Sequence, residues 1–420
     1  MKPLFIELFV EAAPLSLRTI ISYAINVGIL NKDGFIFHEE NIRDKNFINS
    51  LILKKNGIFK CIQDNHIDTV FISVWIWNIE ECSAILHTLN KMFPQVRVIA
   101  GGYGVLDPES FLREHKNVYM YCYESEGEES FVSILHHLRG NIKKECVTGV
   151  KYIQDGVINT TPNSKSVNRN LTHSVYRYTP TKYSSANIEV IRGCVNKCAY
   201  CTWSKKKHSI SDLDNLIDDI NGLPDGINLC VVDSHSNTRD HLYVLSRIKK
   251  NFKEISLFVD MNLNKDIRDD FVKVLSEFDF VEIGLGVQSF NDEVLKFLKR
   301  KVDYEELFFW SNLPKNKFKI SISIILGLPY QTYLIAKEDI EKTFNFGIPV
   351  INILTALPGS EVLNHWKGFD MRFSEKSPYT MIESKFLTKE EILDLIGLNK
   401  IPQKEITHID KRYKKLVAIN

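Results

Sequence analysis

The stretch "RGCVNKCAYCTWS", Arg192 to Ser204, carries three of the chain's eight cysteines, at 194, 198 and 201. A structural zinc is closed by four ligands, usually as two close pairs, and here the second pair is missing. His208, seven residues past Cys201, offers a fourth ligand for a Cys₃His zinc site. A four-iron cluster is also normally held by four thiolates, and holding it by three leaves one iron open to bind a substrate or cofactor directly. The spacing alone therefore admits a closed zinc site or an open iron site.

The pattern around the loop bears on the choice. A candidate strand, "NIEVIRG" (187–193), leads into it. Further strands are predicted at "INLCVVD" (227–233), "ISLFVDMN" (255–262), "FVEIGLGVQ" (280–288), "ISISIILGL" (320–328) and "VINILTALP" (350–358), with helical segments between them. Six strand-plus-helix units predict a partial (β/α)6 barrel over 185–365, which draws its catalytic groups from the carboxyl ends of several strands. The cysteine loop sits at such an end. Residues 366–420 hold a polar stretch, a helix in "TKEEILDLIGLNK" and a basic end, read as a small C-terminal cap.

Ahead of the barrel, residues 1–145 read as an α/β domain of doubly wound, Rossmann/flavodoxin-like type. "IDTVFISVWIW" (67–77) is a run of apolar, β-branched and aromatic residues, as a strand covered on both faces requires. A helix capped by Asn78 and ending before Pro94 follows, then a strand "VRVIAGGYG" (96–104) entering a paired-glycine turn, then "VYMYCYESEGEESFVSILHHLRG", a strand, acidic turn and helix. Ligands of such domains sit beyond the carboxyl ends of the strands. Residues 146–184 are rich in Ser, Thr, Asn and Pro without sustained period, and read as a linker.

Composition narrows the class. The 420 residues are 44% apolar and 25% charged, and 53 basic against 52 acidic residues give a net charge of +1. No bulk field marks a nucleic-acid or membrane-surface partner. No apolar run reaches the roughly 20 residues that span a bilayer. "MKPLFIELFVEAAPLSLRTI" is interrupted by Glu7 and Glu11, so it reads as a strand leading into a helix rather than a signal peptide. The other cysteines (61, 82, 122, 146 and 230) are scattered, which fits a reducing cytoplasm better than a disulfide framework.

Cys194-x₃-Cys198-x₂-Cys201, with Tyr200 just before the last cysteine, resembles the cluster loop of the radical S-adenosylmethionine (SAM) enzymes. The resemblance implies a [4Fe–4S] cluster on these three thiolates, SAM chelated to the open iron, and reductive cleavage of SAM to methionine and a 5′-deoxyadenosyl radical. It implies further sites on later strands. Gln288 and Ser289 in "GLGVQSFNDEVLKFLKR" resemble the polar pair near the SAM ribose and methionine. "ILGLPYQT" (325–332) resembles the segment beside the adenine, with Gly327 at the close approach, and "LPGSEVLN" (357–364) resembles the turn after the sixth strand. The Gly-Gly-Glu segment that binds the SAM amino group in many members is replaced by "CVVDSHSN", which leaves Asp233, Ser234 or His235 to fill that place, or His235 to serve the substrate.

The first domain extends the resemblance. Ser73, Gly101, Gly102 and Glu126 to Glu128 match the pattern of the cobalamin (B12)-binding-like domain that precedes the barrel in one subgroup. The lower-ligand motif Asp-x-His-x-x-Gly is absent: "DNHIDT" (64–69) has Thr69 where the glycine belongs and precedes the wrong strand. With cobalamin, the implied chemistry is methyl transfer or rearrangement. Without it, direct hydrogen abstraction gives epimerisation or dehydrogenation, and Cys230 on the second barrel strand is the candidate hydrogen donor. The implied partners are an organic small molecule or peptide as substrate and a flavodoxin or ferredoxin type electron donor, for which "KKKH" (205–208) is a candidate docking run. The reading of another class is a non-catalytic zinc or iron–sulfur binding module.

Overall fold

The computed structural model describes residues 2–10, 14–42, 57–124, 126–357 and 359–397. Glu11, Pro358, the Lys205 side chain and the basic end of the expected cap lie outside the described residues. The chain divides into two compact units: Met1–Asn187 with Asp214–Leu223, and Ile188–Leu213 with Pro224–Asn420.

The first unit is a seven-stranded sheet in the order β2-β1-β3-β4-β5-β6-β7. Its strands are β1 (Leu4–Phe9), β2 (Ile36–Asn41), β3 (Thr69–Ser73), β4 (Arg97–Gly101), β5 (Val118–Cys122), β6 (Val150–Gln154) and β7 (Val157–Thr160). The first five pair in parallel, and β6 and β7 add antiparallel. The helices are α1 (Ser16–Asn26), α2 (Ile58–Asp64), α3 (Ile79–Met92), α4 (Pro108–Glu114), α5 (Glu128–Leu138) and α6 (Val175–Tyr178), and α7 (Leu213–Asn221) lies largely in the same unit. Alternation along β1 divides the core in two. Leu4, Ile6 and Leu8 pack with Ile62 of α2, Ile85 and Leu89 of α3 and Phe111 of α4. Phe5 turns the other way, stacking on Phe71 at 4.8 Å, with Phe131 of α5 edge-on to both. Helices on both faces of a parallel sheet make the unit doubly wound, and they explain why its inner strands read as continuous apolar runs.

Two features depart from the expected linker. "KYIQDGVINT" is a β-hairpin whose turn residues Asp155 and Gly156 both have positive φ, 50° and 77°; the Asp-Gly pair was its sequence signal. Farther on, the backbone of 171–179 bonds to side chains of α1: Asn26 Nδ2 donates to Leu171 O at 2.9 Å, Arg18 Nη1 to Thr179 O at 2.5 Å, and Ser22 Oγ to His173 O. Segment 146–184 is therefore part of the first unit. Residues 171–179 show no period because side chains of α1, rather than a regular ladder, satisfy several of their carbonyls.

The second unit is built on a six-stranded sheet in the order β15-β14-β13-β12-β11-β8. Here β8 is Ser185–Ile188, β9 Ile191–Arg192, β10 Ser209–Ile210, β11 Asn228–Val231, β12 Glu254–Val259, β13 Val281–Gln288, β14 Phe318–Leu326 and β15 Ile348–Ile353. All six expected barrel strands are present, in sequence order, and the paired strands from β11 to β15 are parallel. The helices are α8 (Arg239–Arg247), α9 (Arg268–Leu275), α10 (Asp292–Leu298), α11 (Tyr304–Ser311), α12 (Tyr333–Thr343), α13 (Glu361–His365) and α14 (Lys389–Gly397). A short hairpin of β16 (Arg372–Phe373) and β17 (Met381–Glu383) precedes α14. The described part of the expected cap is no separate body: Met381, Leu387, Ile392 and Leu395 share one core with Ile324, Leu326 and Ile353. No described helix is long and apolar enough to cross a membrane.

The two faces of this sheet differ in chemistry. Leu229, Ile255, Leu257, Ile283, Leu285, Ile322 and Ile324 are buried on one face. The opposite face carries Cys230, Ser256, Glu282 and Lys319 in one register row, and Phe258, Gly284 and Ser321 in the next. A polar inner face backed by an apolar outer one is what a partial barrel that admits a polar ligand requires.

Candidate active site

The cysteine loop is pinned before its sulfurs are placed. Its neck is the antiparallel pair β9–β10, Ile191 opposite Ile210 and Arg192 opposite Ser209. Between the cysteines, buried Ala199 donates its N–H to Leu298 O at 3.2 Å, ending α10, and accepts from Val362 N at 3.0 Å, beginning α13. Tyr200 packs into the adjoining core, and burial pushes its phenol up. The sulfurs then receive hydrogen bonds: Asn196 N to Cys194 at 3.4 Å, Trp203 N to Cys201 at 3.5 Å, and Arg300 Nη1 to Cys198 at 3.3 Å. Burial pushes the Cys201 thiol up, so a metal bound there has its proton to displace.

Donors aimed at sulfur suit a cluster, whose potential they tune. Among the described residues, the trio of ligand atoms drawn within 4.8 Å of one another is His87, Glu114 and His115; the three cysteine sulfurs do not form such a trio, whereas a single tetrahedral ion would need them close. His208 is exposed and closes no such set. The residues present therefore fit a three-thiolate cluster with one open iron.

Arg300 is the main residue that sequence reasoning missed here. Its other arm donates to Gly286 O at 2.7 Å, a carbonyl turned out by the register shift between Gly286 and Gln288, where Gln288 takes φ 71°. A cation against a cluster thiolate favours the reduced, more negative cluster. Arg300→Met is expected to lower the cluster's reduction potential by about 60–120 mV, from ~1.5–3 kcal/mol for a hydrogen bond to a charged group. An EPR-monitored redox titration measures this, and an unchanged potential would mean that Arg300 only packs the loop.

The predicted SAM residues divide into two groups. Asp233 does not face the site, which corrects the expectation for it: its buried carboxylate accepts from Val190 N at 3.1 Å, Ile191 N at 2.6 Å and His241 Nε2 at 2.7 Å, and burial pushes it up. It ties the base of the cysteine loop to α8. Ser234 Oγ lies 3.0 Å from Gly193 O and 3.1 Å from His235 Nδ1. His235, 3% exposed, sets that Nδ1 3.9 Å from Cys194 Sγ, and burial pushes its pKa down. Its place is thus beside a cluster ligand.

Ser289 is a second correction. It is fully buried, donating to Asp339 Oδ2 at 2.7 Å, while Phe290 N and Gln331 Nε2 donate to the same carboxylate at 2.6 and 2.9 Å. Gln331 Oε1 in turn accepts from Gly327 N at 2.8 Å. This knot fixes the loops after β13 and β14 together. Gly327 has φ 86°, a left-handed backbone that favours glycine whatever lies beside it. Gln288 remains at the end of β13, with its side chain folded over Gly286. Cys230 lies on the polar face, accepting from Ser256 Oγ at 3.1 Å. Its register row holds Glu282 and Lys319, at the amino ends of β13 and β14.

The first unit has its own crevice. Helix α1 leaves β1 for one face of the sheet and α3 leaves β3 for the other, so the carboxyl ends of these neighbouring strands are the switch point where such folds take ligands. Ser73 Oγ stands there, 3.0 Å from Ser16 Oγ, which donates to Glu7 Oε1 at 3.0 Å. Leu17 N donates to Glu7 at 2.9 Å, and Trp75 Nε1 reaches Ser16 Oγ at 3.4 Å. Trp75 stacks on Trp77 at 4.9 Å. Glu7 is fully buried, and burial raises its carboxyl from 4.5 to about 7. It was visible in sequence as an acid within an apolar strand.

Because its folded value is the higher one, Glu7 is neutral at no cost below 4.5 and increasingly costly as pH rises towards about 7. The wild-type protein should lose roughly 3 kcal/mol over that window through this group, and Glu7→Gln should lack that loss. Urea midpoints at both ends of the window check it, and parallel pH profiles would dismiss Glu7 as the titrating group.

As a cobalamin site the crevice fits poorly. The loop after β1 holds no histidine, and His66 precedes β3, at the amino ends of the strands. A Cβ at Gly102, which has φ 120°, would stand 2.3 Å from Val74 O, and one at Gly101 would stand 2.9 Å from the Cys122 Cβ. The glycines and Ser73 thus meet internal partners.

Residues 188–347 match the Radical SAM superfamily. A tRNA-2-methylthio-N(6)-dimethylallyladenosine synthase of Thermodesulfovibrio yellowstonii is 27% identical over 177 residues, covering 38% of this chain and 39% of that protein. The heme chaperone HemW of Lactococcus lactis is 32% identical over 94 residues, 22% of this chain and 25% of that one. The chain thus spans well under two thirds of the length of these curated relatives. Among solved structures, the radical SAM methyltransferase TsrM from Kitasatospora setae, with cobalamin and a [4Fe–4S] cluster bound, superposes with a TM-score of 0.64 at 10% identity over 90% of this chain and 78% of its own. The cobalamin-dependent SAM radical enzyme OxsB, with aqua-cobalamin and SAM bound, gives 0.60 at 14% identity over 87% and 55%. At such identities the likeness is one of fold. Residues 188–347 are thus a radical SAM domain, and the chain shares the fold of TsrM over 90% of its length and of OxsB over 87%.

Proposed function

We propose that the protein cleaves SAM reductively and uses the product to functionalise an unactivated C–H position of an organic substrate, a small molecule or a peptide, in natural-product or peptide biosynthesis. The observation that carries this reading is the set of three sulfurs with hydrogen-bond donors at each, on a loop at the carboxyl ends of the strands. A cluster held there with SAM on its open iron supplies the radical chemistry; the chain holds the thiolates, orients the loop and presents a polar inner face to the substrate. Anaerobic reconstitution followed by assay for 5′-deoxyadenosine, with dithionite or a reduced flavodoxin, tests it: absence of SAM turnover under both reductants overturns the proposal.

Methyl transfer assisted by cobalamin is supported by the fold of the first unit, by the methyltransferase activity named for TsrM and by the cobalamin dependence named for OxsB. A second reading, direct hydrogen abstraction without cobalamin leading to epimerisation or dehydrogenation, is favoured by the crevice, whose loop lacks a histidine and whose glycines meet internal partners. In that reading Cys230, on the polar face, is the candidate hydrogen donor. Retention of hydroxocobalamin through gel filtration, read by its visible spectrum, separates the two: a stoichiometric complex supports methyl transfer, and none supports abstraction.

A further inference from the structure

We propose that His87, Glu114 and His115 form a binding site for a divalent transition ion, zinc in the first instance, on the helical face of the first unit. It is independent of the cysteine loop and of the SAM reading.

The backbone brings the three together. Ser83 and His87 lie one turn apart on α3 and so share a side of it, whose inner side is buried through Ile85, Leu86 and Leu89. Helix α4 ends at Glu114, and His115 follows with its own N–H on Phe111 O at 3.0 Å and its carbonyl accepting from Val118 N at 2.9 Å, at the entry to β5. His115 is therefore fixed on both sides and is 2% exposed. Glu114 Oε1 lies 3.7 Å from His87 Nε2 and 3.9 Å from His115 Nε2, and the two imidazoles are 4.9 Å apart.

Those separations approach what an ion demands. Bonds of about 2.0–2.2 Å to nitrogen and oxygen in a tetrahedron put ligand atoms roughly 3.4 Å apart. The three ligand atoms lie within 4.8 Å of one another, and closing that gap falls to His87 and Glu114, whose side chains are 55% and 62% exposed and free to turn, around a buried third ligand that is not. His115 thereby presents its Nε2 from a fixed position. Ser83 Oγ, 3.2 Å from that nitrogen, or a water is left for the fourth position. Two imidazoles and one carboxylate are a zinc-type donor set, whereas magnesium and calcium prefer oxygen ligands alone. An ion here would join α3 to the end of α4, the helices that follow β3 and β4.

The experiment is residue-resolved, so that zinc on the cysteines does not enter. Tag-free, cluster-loaded protein is carbethoxylated anaerobically with and without roughly 50 µM Zn²⁺, and modification of His87 is read by peptide mass spectrometry against exposed His365 as reference. Zinc is expected to slow modification of His87 about fivefold or more, leave His365 unchanged, and lose its effect in Glu114→Gln; magnesium is expected to do nothing. His87 and Glu114 are exposed, so Glu114→Gln should fold even where His115→Ala does not. Unchanged modification of His87 in zinc, or equal protection in Glu114→Gln, overturns the proposal.

Discussion

The Cys198→Ala protein is expected to come out of anaerobic reconstitution colourless, with iron near background, and to cleave SAM at least about a thousandfold more slowly than wild type. Two thiolates cannot hold the cube with one iron kept open. The substitution also leaves the Arg300 guanidinium facing a methyl group where a sulfur acceptor had been. The fold should survive, because the loop hangs on the β9–β10 pair and on the backbone bonds of Ala199, none of which passes through a sulfur. Far-UV circular dichroism and a thermal scan check that. Unfolding on loss of metal would favour the structural-module reading instead, and retained SAM cleavage would sink the assignment of Cys198.

The second large effect lies away from the sulfurs. Asp339→Ala is expected to destabilise the second unit by roughly 3–5 kcal/mol, because it leaves Ser289 Oγ, Phe290 N and Gln331 Nε2 as buried donors without their shared acceptor. Gln331 also fixes Gly327 N, so the loops after β13 and β14 should loosen together and SAM affinity should fall with stability. Ser289→Ala removes one donor and leaves the acceptor satisfied twice over, so it should cost only about 1 kcal/mol and leave SAM affinity nearly unchanged. Equilibrium urea unfolding with SAM titrations on the three proteins decides it. A larger loss of SAM affinity in Ser289→Ala than in Asp339→Ala would restore Ser289 to direct contact with the cofactor.

The barrel was legible because its strands alternate between an apolar outer face and a polar inner one along runs of four to nine residues, and that period is local. The cysteine spacing was legible for the same reason. The hairpin at 150–160 went unread although Asp155-Gly156 announced it, because β7 is a four-residue edge strand with no buried residue and only β6 alternates. Asp233 and Ser289 were read as ligand contacts because short polar residues after strands look alike in sequence, whether they face a ligand or close a turn.

What the sequence determined by itself is the chemistry available at each strand end: three thiols at a fixed spacing, an acid inside an apolar strand, glycines after β4 and β14. Only the tertiary structure decided which of those groups face an open site and which are consumed in holding it. Arg300 meets Cys198 from 102 residues away, and Asp339 meets Ser289 from 50. No local period records such a meeting, because a side chain's partner is set by how distant helices pack on the sheet. The same packing turned Asp233 inward and gave Glu7 a carboxyl near 7 in place of an ordinary acid.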